Sequence, residues 1–90
     1  MVLLMVPPRR TVDPDDRENL YDQLASILRD QIMSGELAGG RPIPSKRDLI
    51  AEHGISSRTV DSAVEILKRE GLIETRIGKG LYVIPESERR

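Results

Sequence analysis

Apolar residues recur at helical spacing in three stretches of this chain. Leu20, Leu24, Ile27, Leu28 and Ile32 form the first stripe, and Gly35 follows it as a stop. This predicts a first helix. The preceding run Asp15-Asp16-Arg17-Glu18 reads as a capping box, with Asp15 as N-cap and Glu18 reaching back. A short second helix is expected from Ser45 as N-cap to Gly54 as stop, with Asp48 completing a second box and Leu49, Ile50 and Ala51 facing the core. Val60, Ala63, Val64 and Leu67 mark the buried stripe of a third helix, capped by Ser56 and ended by Gly71. Residues 72–77 and 81–84 then read as two strands. Gly78-Lys79-Gly80 supplies the backbone freedom of a tight hairpin, and Pro85 closes the second strand. Residues 36–44, rich in Gly and Pro, read as a loop.

This order predicts an α+β domain of the winged helix-turn-helix type: three helices plus a two-stranded β-hairpin wing. Ninety residues allow one small domain. Pro7, Pro8 and Pro14 set off residues 1–14 as an N-terminal arm; the domain spans 15–85, and 86–90 form a tail. Cysteine is absent, which excludes disulfides and thiolate zinc sites. Phe and Trp are absent too, so the core must be aliphatic. The apolar run at residues 1–6 is too short for a bilayer and lacks the form of a signal peptide, so a cytoplasmic protein with no membrane partner is expected. The same run is expected to pack across a subunit interface, or else over its own first helix.

The formal net charge is −1, unlike that of a typical nucleic-acid binder. The distribution differs from the total. Residues 11–38 carry seven acids against two bases, a net of −5, whereas residues 39–80 carry eight bases against six acids, a net of +2. Basic character therefore gathers on the part expected to meet DNA, and the local field matters more than the sum.

Candidate contacts follow from the elements. Ser45, Lys46 and Arg47 begin the second helix, where phosphate would meet two cations and a helix N-terminus. Ser56, Ser57, Arg58, Thr59, Asp61 and Ser62 occupy the start of the third helix. Ser and Thr hydroxyls bond phosphates or base edges, and Arg58 fits guanine in two-point fashion. For Ser56, capping is the better reading. Asp61 either accepts from a cytosine amine or pairs with Arg58 three residues back, and the pair is favoured. Lys79 and Gly80 at the hairpin tip fit a minor groove or a phosphate, or make a plain turn. Arg9 and Arg10 fit a basic arm or a solvated tail. The sole histidine, His53, reads as a residue of a helix C-terminal turn; neither a nucleophile with its base nor a metal spacing is present, so no enzyme, metal or cofactor is expected.

The residues at 34–37 (Ser-Gly-Glu-Leu), Ile43-Pro44-Ser45-Lys46-Arg47-Asp48-Leu49, the segment 56–63, Leu67-Lys68-Arg69-Glu70-Gly71-Leu72-Ile73 and Gly78-Lys79-Gly80-Leu81-Tyr82-Val83 together resemble the GntR family of bacterial winged-helix transcription regulators. The resemblance implies a sequence-specific regulator of double-stranded DNA, a repressor on a two-fold operator, with the third helix in the major groove and the wing in the minor groove. It also implies a DNA contact for Arg47. Two positions depart from the family pattern: Ser57 stands where an Arg often follows the capping serine, and Asp61 where another Arg is common, so a different operator sequence is expected. Family members often add a C-terminal domain that binds a metabolite and dimerises. Only residues 86–90 follow the wing here, so no effector domain is expected in this chain; a minimal regulator and an excised domain both fit that length, and a homodimer is an open expectation. The competing function is a winged-helix module for protein assembly without specific DNA binding.

Overall fold

The three apolar stripes pack against one another in a computed structural model that describes residues 11–13 and 19–89. The helices are α1 (Leu20–Ser34), α2 (Lys46–His53) and α3 (Ser57–Arg69); strands β1 (Ile73–Arg76) and β2 (Gly80–Val83) follow, then a single 3-10 turn at Glu86–Glu88. This is the expected α+β arrangement of three helices and one antiparallel hairpin. The expected box at Asp15 and Glu18, Arg9 and Arg10, and the apolar run at 1–6 lie outside the described residues.

The chain enters α1 at Leu20, with Asn19 in the N-cap position. The Asn19 side chain does not cap. Its amide donates instead to the Asp22 carboxylate at 3.3 Å and the Tyr21 hydroxyl at 3.2 Å. The other two caps form as the sequence predicts. Ser45 Oγ accepts from the Asp48 N–H at 3.0 Å, and Ser56 Oγ accepts from the Thr59 N–H at 3.1 Å. At Ser45 only this half of the expected box is made. Each such cap contributes on the order of 1 kcal/mol. α3 ends in a Schellman motif: the Leu72 N–H bonds the Leu67 carbonyl and the Gly71 N–H bonds the Lys68 carbonyl, both at 3.0 Å.

α1 packs chiefly on α3, and the shared core is built from Leu24, Leu28, Leu49, Val60, Leu67, Ile73 and Val83, all fully buried. Ala51 departs from expectation and is exposed, while His53 is buried. Helical geometry explains both. Two residues past Leu49 the helix has turned about 200°, which points Ala51 outward, and four residues past it His53 returns to the inward face. His53 Nδ1 accepts the Val12 N–H at 3.2 Å, which places the ring proton on Nε2. Val12 itself lies in the core, although the sequence assigns it to the arm. Asp13 and the Gln23 amide exchange two bonds, at 2.9 and 3.3 Å, so the segment 11–13 is held against α1 as well as α2.

An Arg29–Glu70 pair joins α1 to the end of α3 with two hydrogen bonds, at 2.8 and 2.7 Å. The hydrogen bond from Arg29 is the main cause holding the Glu70 carboxyl below its ordinary range, and the bond to Glu70 likewise raises Arg29. Both side chains are more than a third exposed, so solvent screens the pair and its contribution stays under about 1 kcal/mol. Because the folded carboxyl is depressed, the stabilisation is complete above the unfolded Glu value and is lost as pH falls through the folded one. Glu70→Gln should therefore lower the denaturation midpoint slightly at neutral pH, and the gap to the parent should close in acid.

β1 and β2 pair antiparallel with Ile73 opposite Val83 and Arg76 opposite Gly80. The tip turns through Arg76-Ile77-Gly78-Lys79, closed by a 2.9 Å bond from the Lys79 N–H to the Arg76 carbonyl. Gly78 has φ of 77°, the left-handed value that the third position of a type II turn requires. The segment before α2, expected as plain loop, runs along the other edge of β2. The Gly40 N–H bonds the Val83 carbonyl, the Val83 N–H bonds the Arg41 carbonyl, and the Ile43 N–H bonds the Leu81 carbonyl, at 2.8, 2.8 and 3.0 Å. Gly39 has to be small there: a Cβ on it would sit 2.9 Å from the Pro85 Cα.

Candidate nucleic-acid interface

The pairing of residues 40–43 with β2 carries the chain from the wing directly into the start of α2. It thereby sets Ser45 and Lys46 across a cleft of about 360 Å³ from Lys79 and Gly80. Two cations from distant parts of the sequence line one concave surface, as an approaching phosphate requires.

The start of α3 presents a second group. Ser57 and Arg58 are exposed, and Ser62 and Thr59 are half-buried. Ser56 and Thr59 share a hydrogen bond of 2.9 Å between their hydroxyls, which adds to the cap and occupies both oxygens within the protein. These two hydroxyls hold the helix start in shape; Ser57 and Arg58 remain outward. The expected Arg58–Asp61 pair does not form. Asp61 Oδ1 instead lies 2.7 Å from Lys46 Nζ, bridging α3 to α2. The competition is decided by where α2 sits: its first residue brings an ammonium over the second turn of α3, within 2.7 Å of the Asp61 carboxylate. Arg58, Arg47 and Lys79 have no acidic partner among the described residues.

Sequence reasoning passed over Arg76 and Ile77. The Arg76 guanidinium lies 4.4 Å from the centre of the Tyr82 ring and its Nε is 3.4 Å from the Glu74 carboxylate. Arg76 and Tyr82 stand on neighbouring strands, diagonal to one another in the register, which alternation along the hairpin would have shown. Ile77 protrudes at the tip. Among the described residues no group of three or more His, Cys, Asp or Glu is placed to hold a metal ion, and no helix is long and apolar enough to cross a membrane.

Three helices, a tight turn into the third, and a hairpin with a cation at its tip define a winged helix-turn-helix domain. The sequence model described as "Bacterial regulatory proteins, gntR family" matches residues 20–83, and the chain belongs to that family. It is 43% identical over 67 residues to the HTH-type transcriptional regulator YdcR of Escherichia coli (strain K12), covering 74% of this chain and 14% of that protein. It is 39% identical over 64 residues to the HTH-type transcriptional repressor NagR of Bacillus subtilis (strain 168), covering 71% of this chain and 26% of that one. The chain thus spans about a quarter or less of these relatives. Among solved structures, the AraR DNA-binding domain in complex with operator ORE1 is similar with a TM-score of 0.67 and 27% identity, over 70% of this chain and 77% of that chain.

Proposed function

We propose that this domain binds double-stranded DNA in a sequence-specific manner and acts as a repressor on a two-fold operator. In this reading the start of α3 enters the major groove, with Arg58 reading a base and Ser57 and Ser62 meeting phosphate or base edges. Ser45, Lys46 and Arg47 grip phosphate at the start of α2, while Lys79 and Gly80 carry the wing toward the minor groove. The observation that carries the reading is that the starts of α2 and α3 and the wing tip each present an exposed cation, Arg47, Arg58 and Lys79, without an acidic partner among the described residues; Arg41 and Arg69 are likewise exposed without one, while Arg29, Lys46, Lys68 and Arg76 are paired. The similarity to an operator-bound domain and to a repressor supports it. A single module of this size covers a short half-site, so useful specificity calls for two copies on a symmetric site.

Selection of bound sequences from random duplexes, followed by mobility shifts at two salt concentrations, tests this directly. Recovery of a two-fold sequence whose affinity falls steeply with salt supports the reading through counterion release. Absence of any salt-dependent duplex binding would favour a protein-assembly module instead, a reading for which the Lys46–Asp61 neutralisation speaks.

Asp61 offers a separate expected result. Asp61→Ala removes a carboxylate from the DNA-facing side and frees Lys46 for phosphate. Nonspecific affinity should rise and the salt dependence should steepen by roughly one counterion. A fall in specific affinity with broadened choice at one base would assign Asp61 to a cytosine instead.

A further inference from the structure

The wing tip ends in a side chain that the turn itself does not call for. Ile77 is 97% exposed, against 66% for Met33, the other exposed large hydrophobic residue among those described. It occupies the second position of the turn, where a type II geometry accepts most residues, so a polar one would serve the fold as well. A lone exposed isoleucine is ordinary on a protein surface. Its surroundings here are not ordinary. Arg76, next to it, is drawn back over Tyr82 and bonded to Glu74, and so leaves the tip. Lys79, two residues on, is exposed and has no acidic partner among the described residues. Gly78 and Gly80 add no side chains, and the space where their Cβ atoms would stand is open. The hairpin therefore tapers to one aliphatic group beside one cation.

We propose that Ile77 inserts into the minor groove of the bound duplex as an apolar wedge, so that the wing tip senses groove shape and floor as well as phosphate. The inference rests on the DNA-binding reading above. The groove is about 6 Å wide, with phosphates along both rims, apolar sugar edges as walls and a floor of base edges that carry few polar atoms at A·T pairs beyond their acceptors. A narrow tip carrying an aliphatic group with a cation alongside matches that cross-section. Isoleucine is among the side chains that enter minor grooves and part the base steps.

The test uses the full chain and a duplex recovered by selection. Ile77→Ser should weaken binding roughly tenfold, the scale of an apolar side chain passing from water into a groove, with the salt dependence unchanged. Ile77→Leu should bind within about twofold of the parent. Neither change should move the thermal midpoint, because the side chain is almost fully exposed in the free protein. Replacing adenine by 2,6-diaminopurine at the wing's base pairs puts an amine on the minor-groove floor. This should weaken the parent more than the Ile77→Ser variant. The proposal is overturned if Ile77→Ser binds like the parent, or if the added amine penalises both proteins equally. A parent chain without salt-dependent duplex binding overturns both this inference and the function it rests on, a result seen before any variant is compared.

Discussion

Arg58→Ala is expected to lower affinity for the selected operator by about 1–3 kcal/mol, a factor of roughly five to 150, and to relax the choice at one base pair. The guanidinium is exposed in the first turn of α3 and has no acidic partner among the described residues, so the substitution should leave the folded protein intact. Arg47→Ala is the informative contrast. It lies at the start of α2 and on the proposed reading meets phosphate alone, so its removal should weaken binding to every duplex alike and reduce the salt dependence by about one counterion. Competition assays against a panel of single-base variants of the operator separate the two. If Arg58→Ala changes neither affinity nor base preference, α3 does not read bases at this position.

The second large effect is on the fold. Leu67→Ala should destabilise the domain by about 2–5 kcal/mol. Leu67 is fully buried where α3 meets α1, and its carbonyl anchors the Schellman motif that turns the chain toward β1. A domain of this size holds on the order of 5–15 kcal/mol in total, and each kcal/mol moves its thermal midpoint by roughly 4–8 °C. A drop of roughly 8 °C or more is therefore expected, read by circular dichroism of the parent and variant side by side. The buried hydrophobic residues around it are all aliphatic among the described residues, with Tyr21 packed only at the margin of the core. A midpoint within 2–3 °C of the parent would mean that α1 and α3 are packed differently.

What the sequence disclosed was local. The stripes of α1 and α3, the caps at Ser45 and Ser56 and the stop at Gly71 each depend on residues within four positions of one another, and they appear as expected. The departures arise where distant segments meet. Asp61 had a plausible partner three residues back, yet Lys46 reached it first because the angle between α2 and α3 is a tertiary property. His53 could have been placed inward from its four-residue spacing to Leu49, but its acceptor role depends on Val12, 41 residues away. The path of residues 40–43 carries no alternating pattern at all; its hydrogen bonds come from the backbone and leave no trace in side-chain periodicity. The candidate site is affected likewise. Its residue types were visible, whereas which cations stay unpaired follows from how the helices are set.

The strapping of residues 40–43 to the edge of β2 has a mechanical outcome. A hairpin attached only through its strand ends could swing, and each groove would then be met on its own terms. Here the wing root is bonded to the chain leading into α2, which sets Lys46 and Lys79 across one cleft, and on the proposed reading the two would act as the jaws of a gauge. On the proposed reading a duplex whose groove widths do not fit that span must bend or narrow to be gripped, and the energy of doing so depends on base steps that no side chain touches. Flexible and stiff sequences would then be sorted by a rigid protein, with selectivity arising from the compliance of the DNA.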